Sequence, residues 1–508
     1  MKYSVKSLNQ IQIFLYKPLI FLLVLNFAIL GNSQNDSRIT KIESYLNALF
    51  KLDMAPGLAV GIIENGEVVY TKGFGYSNLE NKTSVTKDTK FYIASTSKSF
   101  LSTVCVILDE QGVLDLDVPI KKYLPEFTLP IPLDESKVTL RELLKLTYGF
   151  SNDAIVLRCA YSGEIDNRKI LELLKKSEPL KTGNDFVYSN LGYNLCALVI
   201  EKVTGKTWKV IEDELIFRPL KMNSTLSNID AVKQMEFAQP YAHEPPGYTR
   251  LVYGKQNKNM HAAGGHVSSV SDLLIWLDAN ISNGYQKNSP IISSSVFKQT
   301  QAQQTRQDKR ISGFKRFGWG LGWDIQTFDE DTIHSRNGSF SGFHSQVLFS
   351  KSKKIGVVIL VNESDFGGMM AQLAAEYIFS AMFGKTALLE KFEKNLEKFP
   401  QKIQFEKDKI AARIKTVSSL SMIKKSDFKR YVGKYSNRDY GTIIVEVVEN
   451  KLKIKYGATK GVAISTERQD QFEVSVFGSR SNIVFNFPEN SPISNSLKVD
   501  GEIEFIKK

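Results

Sequence analysis

Ser95 stands three residues before Lys98 in the stretch FYIASTSKSFLSTVCVILDEQG, Phe91 to Gly112. A serine hydroxyl is a poor nucleophile until a neighbouring group removes its proton. A lysine amine serves if burial brings its pKa from ~10.4 toward ~7, a shift worth on the order of 4–5 kcal/mol. Residues three apart share a helix face, so Lys98 reaches Ser95 Oγ from one turn away. The residues that follow include Phe100, Leu101, Val104, Cys105 and Leu108, the most apolar helical pattern in the chain. A lysine heading such a helix either snorkels to water or is buried for use. The helix start also offers unpaired N–H groups to a developing oxyanion.

Spacing alone does not carry this. Ser-x-x-Lys recurs from Ser84, Ser295, Ser312, Ser350, Ser421 and Ser426, and a serine at a helix start is commonly only a cap. What separates Ser95–Lys98 is the strand-like FYIA before it and the apolar helix after it. Tyr188-Ser189-Asn190 has the same character: it opens a second apolar helix that ends near Gly205. Tyr-x-Asn also occurs at Tyr45, Tyr76 and Tyr435 without that context.

The elements that must position these groups are legible as patterns. DSRITKIESYLNALF has helical spacing, with Ile39, Ile42, Leu46 and Leu49 on one stripe. PGLAVGIIENGEVVYTKGFGYSN reads as two strands about Asn65-Gly66. Helical patterns dominate from Ser95 to about Ser271, and strands return in RFGWGLGWDIQTF, TIHSRNGSFSGFHSQVLFS and KIGVVILVNES. MMAQLAAEYIFSAMFG then closes the region as a helix at Gly384. Strands at both ends with helices between predict one sheet built from distant segments plus an inserted helical lobe, with a cleft between them. Residues 385–427 read as a charged helical linker carrying Leu388, Leu389, Phe392, Leu396 and Phe399 on one stripe. Residues 428–508 read as a small antiparallel β domain with a hairpin turning at Glu449-Asn450. The fold class is α+β.

Composition excludes several alternatives. The 508 residues carry a formal charge of +12, but Lys2, Lys6 and Lys17 lie in 1–33, where there is no acid. Residues 385–430 hold 13 Lys and Arg against 6 Asp and Glu. The body is near neutral, so no nucleic-acid partner is implied, although a peripheral membrane contact through 385–430 fits the charge. The run LIFLLVLNFAIL, Leu19–Leu30, is short for a span and fits an export signal cleaved near Ser33, hence a secreted or periplasmic protein. Three cysteines, Cys105, Cys159 and Cys196, give no disulfide framework, and neither a metal site nor a cofactor is implied.

Six segments in order, PGLAVGIIENGEVVYTKGFG, STSK, YSNLGYNLCALVIEKVTGK, RPLKMNST, AAGGHVSSVSDLLIW and RNGSFSGF, resemble the serine beta-lactamase and penicillin-recognising enzymes, in the branch of class C beta-lactamases, D-peptidases and esterases. The likeness covers about Ile39 to Gly384. It implies a beta-lactamase/transpeptidase-like fold, an antiparallel sheet flanked by helices plus a helical lobe, and a lipocalin-like β domain after it. By that resemblance Ser95 is the nucleophile, Lys98 its activating partner, Tyr188 a proton relay or base, and Asn190 a holder of the substrate amide. The backbone N–H groups of Ser95 and Ser339 become the oxyanion donors.

Two departures stand out. Arg336-Asn337-Gly338 aligns where the family carries Lys or His, any residue, then Gly. Arginine does not serve as a base, but it grips a carboxylate bidentately. His334 lies two residues earlier on the same strand face, a candidate for proton transfer or for a local hydrogen bond. In LLKLTYGF, Leu146 and Tyr148 replace a common His and Ser, which bears on substrate preference. The implied activity is acyl transfer from a small-molecule or peptide substrate, a D-amino-acid peptide, a β-lactam or a small ester, to Ser95 and then to water. The alternative is a non-turnover protein that binds penicillin or peptidoglycan fragments. Oligomeric state is not written in the sequence.

Overall fold

The computed structural model describes residues 36–508 apart from residues 184, 233–234, 253, 287–288, 312, 420–424 and 479. The export-signal expectation therefore lies outside the described residues. No helix among those described is long and apolar enough to cross a membrane.

The expected helix forms over Ser37–Phe50 and buries Ile42, Tyr45, Leu46 and Leu49, with Asp36 capping its start through Arg38 N. The hairpin follows, Gly57–Glu64 and Glu67–Asn78, turning where Asn65 and Gly66 take φ of 53° and 83°. Both ends of the region meet in one nine-stranded antiparallel sheet. In spatial order its strands are Thr305–Ile311, Phe314–Trp319, Asp324–Phe328, Asp331–Phe340, Phe343–Ser350, Ile355–Val361, Gly57–Glu64, Glu67–Asn78 and Thr83–Ser84. The join is Leu58 opposite Val361, running to Glu64 opposite Ile355. Both strands at the join are buried on their two faces, which explains their unbroken apolar runs. The helices Val270–Ile281 and Gly367–Met382 pack on the sheet.

Two sequence expectations change in detail. RFGWGLGWDIQTF is two strands, broken where Gly322 at φ 86° passes the helix carrying Lys98. A Cβ there would stand 2.7 Å from Lys98 O. The outermost strand, Thr305–Ile311, was not foreseen, because TRQDKRI carries the charge of a solvent-facing sheet edge rather than an apolar alternation.

The linker is two helices, Thr386–Leu396 and Phe399–Ser419, with Pro400 in the first turn of the second. Leu389 and Ile403 are buried against the core of the sheet and of the helix Gly367–Met382. Residues 433–507 form a second nine-stranded antiparallel sheet around Tyr435, Ile443, Ile454, Phe472, Phe485 and Phe505. Its hairpin turns at Glu449 and Asn450, both at positive φ.

Candidate active site

The chain leaves the short strand Phe91–Tyr92 and reaches Ala94, which adopts φ 44°. A left-handed residue that is not glycine costs energy the surroundings must hold in place. Here Ser97 Oγ donates to Ala94 O at 2.6 Å, and Ser345 Oγ donates to Ile93 O at 2.7 Å while contacting Thr96 Oγ1 at 2.9 Å. A 3₁₀ turn, Ala94–Ser97, presents Ser95 and leads into the helix Lys98–Glu110.

Lys98 is fully buried. Its Nζ lies 3.1 Å from Ser95 Oγ, 2.7 Å from Asn190 Oδ1 and 2.8 Å from Ala263 O. Burial, aided by the Arg336 charge, pulls its pKa below the ordinary lysine value even though Tyr188 acts the other way. Tyr188 and Asn190 come from the loop that starts the helix Leu191–Thr204, which ends on Gly205 at φ 68°. Leu146 O fixes that loop by accepting from Val187 N at 3.0 Å. Leu146 and Tyr148, the departures noted in the sequence, are both buried there.

Tyr188 as a residue is 44% exposed, while its phenol is buried and hydrogen-bonded toward Ser95 and Lys98. Burial pushes the phenol up, but Arg336, Lys98 and the hydrogen bonds outweigh it, and the net shift is downward. Lys98 Nζ and Arg336 Cζ lie 5.0 and 5.1 Å from the ring centroid.

Arg336 is buried on the strand Asp331–Phe340, with Nη1 3.0 Å from Asp324 Oδ2 and its plane over Trp319. Nε donates to Asn337 O and Nη2 to Asn337 Oδ1, both at 3.1 Å. Arg316 shares the same partners, at 3.5 Å from Asp324 Oδ1 and 3.3 Å from Asn337 Oδ1. Gly338 packs on the turn that presents Ser95, and Ser339 follows it on an exposed position.

The structure thus brings Ser95, Lys98, Tyr188, Asn190, Arg336 and Gly338 together, with Asn337 and Ser339 flanking. His334 is placed elsewhere: Nε2 lies 3.0 Å from Gln301 O, and the ring stacks on Phe349 at 5.0 Å. Burial lowers its pKa to about 4. Sequence reasoning missed Asp324, Trp319 and Ala263. Asp324 had a signal, an acid inside an apolar Trp- and Gly-rich run, which when buried requires a cation. Ala263 acts through its backbone and had none.

An antiparallel sheet with a helical lobe inserted between its two halves, and a serine and buried lysine set against the strand Asp331–Phe340, define a serine beta-lactamase-fold protein. The family profile described as Beta-lactamase matches residues 46–381, and the chain belongs to that family. It is 25% identical over 331 residues to "Protein flp" of Staphylococcus aureus (strain MW2), covering 65% of this chain and 64% of that one. The match to "Unguisins hydrolase ungD'" of Aspergillus campestris (strain IBT 28561) is 27% over 320 residues, 60% of this chain and 58% of the other. The chain therefore spans less than two thirds of these curated relatives. Among solved structures, the octameric penicillin-binding protein homologue from Pyrococcus abyssi aligns with TM-score 0.57 at 23% identity. That alignment covers 92% of this chain and 100% of the other. The class C beta lactamase from Rhodobacter sphaeroides aligns with TM-score 0.55 at 22% identity over 68% and 99%. At such identities these two establish the fold.

Proposed function

We propose that the protein is an exported serine hydrolase that forms an acyl-enzyme on Ser95, with a substrate bearing a free carboxylate: a D-amino-acid peptide or a β-lactam ahead of a plain ester. The hydrogen bonding of Lys98 carries this reading. Asn190 Oδ1 and Ala263 O are acceptors only, so a neutral Lys98 spends both N–H bonds on them. Its lone pair is then left facing Ser95 Oγ at 3.1 Å.

In this reading Ser95 Oγ attacks the carbonyl carbon as its proton passes to Lys98 Nζ. The backbone N–H groups of Ser95 and Ser339 hold the oxyanion. Tyr188 relays the proton to the leaving group, and water then releases the acid. One carboxylate, Asp324, serves two guanidiniums, which leaves positive charge over the cleft for a substrate carboxylate. The run Leu19–Leu30 supports export. The closed strand order around a single apolar core supports a lipocalin-like reading of the C-terminal domain.

The test is intact-mass spectrometry of the exported protein with a fluorescent penicillin and a D-Ala-D-Ala peptide. Wild type and Ser95→Ala run in parallel, with nitrocefin and p-nitrophenyl acetate turnover alongside. Turnover lost in Ser95→Ala supports the hydrolase. A stable Ser95 adduct without turnover replaces it with the binding protein. Neither label nor turnover, with the alanine variant indistinguishable, overturns the assignment.

A further inference from the structure

The strands of the C-terminal domain do more than pack on themselves. Gly457 and Ala458 abut Ser162 of the catalytic domain, with Ala458 N donating to Ser162 O at 3.0 Å, and Lys176 pairs with Asp439 across the junction. Beside this seam lies a cavity of about 600 Å³, whose wall includes Arg250, Val252 and Lys255 on one side and Glu446, Lys455 and Lys460 on the other. That volume falls within the ~300–1,000 Å³ of small-molecule sites.

Its charge is one-sided. Lys455 and Lys460 stand directly opposite each other on adjacent strands, both exposed, a pairing that costs stability unless something anionic lies between them. Arg250 and Lys255 approach from the catalytic domain, and among the described residues Glu446 is the one acid on the wall. Lys255 is buried, and its amine meets neutral partners: Ala160 O at 2.7 Å, Asn259 O at 3.3 Å and the face of Phe340 at 4.2 Å. No carboxylate is among these contacts. The rest of the wall sets Gln239 and Gln256 among apolar residues, of which Met235 and Val252 are 42% and 51% exposed, unusually open for their type.

We propose that this junction cavity binds a small organic anion with an apolar tail, its head between Lys455, Lys460 and Arg250 and its tail on Met235 and Val252. None of the residues that line it is among those gathered about Ser95, and the site stands whatever reaction Ser95 performs.

The full chain is titrated with 8-anilinonaphthalene-1-sulfonate, followed by displacement with octanoate, octanol or octylamine. A saturable 1:1 signal is expected, displaced by octanoate and poorly by the other two. The Lys455→Ala/Lys460→Ala variant, whose side chains are exposed, keeps its circular dichroism spectrum and binds about tenfold more weakly. No saturable binding, equal displacement by octanol or octylamine, or unchanged affinity in the folded variant would each overturn the proposal.

Discussion

Gly338 lies so close to Ser95 that a methyl group in place of its hydrogen would stand 2.8 Å from Ser95 N and 2.0 Å from Ile93 O. The closest atom is backbone, and Ser345 Oγ, which such a group would meet at 2.7 Å, is itself tied to Ile93 O, so the turn itself must give. The glycine of Arg336-Asn337-Gly338 is therefore a spacing requirement between a strand and a turn that are remote in sequence.

Gly338→Ala accordingly moves Ser95 while leaving the rest of the sheet in register. A displacement near 1 Å costs about 10²-fold in rate, and overpacking costs ~1–3 kcal/mol of stability. Acylation rate with the fluorescent penicillin and urea denaturation measure the two. A variant that acylates at the wild-type rate would show that the turn is free to shift.

Asp324 is a structural counter-ion. It and Arg336 are both nearly inaccessible to solvent, so Asp324→Asn leaves a buried guanidinium unpaired and is expected to cost about 3–5 kcal/mol. Arg336→Met added to it recovers part of that loss, because the stranded charge is removed with its partner gone. Urea denaturation of the two single variants and the double closes the cycle. Strict additivity would mean that the pair does not interact.

The pH profile separates the candidate bases. A catalytic Lys98 must be neutral, so kcat/KM rises with pH through its lowered pKa. Arg336 depresses both Lys98 and Tyr188 by its charge, so Arg336→Met shifts this limb to higher pH. His334→Gln leaves the limb in place, since that imidazole contacts Gln301 and Phe349. A limb that moves with His334→Gln and stays put in Arg336→Met would reverse the assignment.

The sequence carried local information well. The apolar helix behind Lys98, the Asn65-Gly66 and Glu449-Asn450 turns, and the return of distant strands to one sheet are written as periodicity and turn chemistry, which act over a few residues. His334 shows the limit. Period-two alternation set it on the face of Arg336, correctly, but which neighbour that face meets at each position depends on the helix Ser294–Gln301, contributed from another part of the chain. Ala263 is less readable still: its carbonyl becomes a ligand of Lys98 only through tertiary placement. Asp324 was readable as a buried acid, yet its partners Arg316 and Arg336 are fixed by strand register alone.

Lys255 gives the protein a pH signature independent of catalysis. Burial lowers its pKa from 10.5 to about 7. Between those values the unfolded chain holds a proton that the native state has released, so stability rises with pH across that window. Below about pH 7 both states are protonated and the contribution is flat. The slope reaches at most ~1.4 kcal/mol per pH unit for one such group. Tyr92 and Tyr161 face the amine with phenol pKa values raised by burial, and His261 is held neutral, partly by Lys255 itself. Lys255→Met strips a donor from Ala160 O and Asn259 O at every pH, a cost of ~1–3 kcal/mol that does not change the slope. Lys209, lowered by burial to about 8, titrates in the same window but does so in both proteins and cancels in the comparison. Urea denaturation at several pH values between 7 and 10 should therefore give a steeper rise for wild type than for Lys255→Met. Parallel curves would mean that Lys255 keeps its proton in the native state throughout.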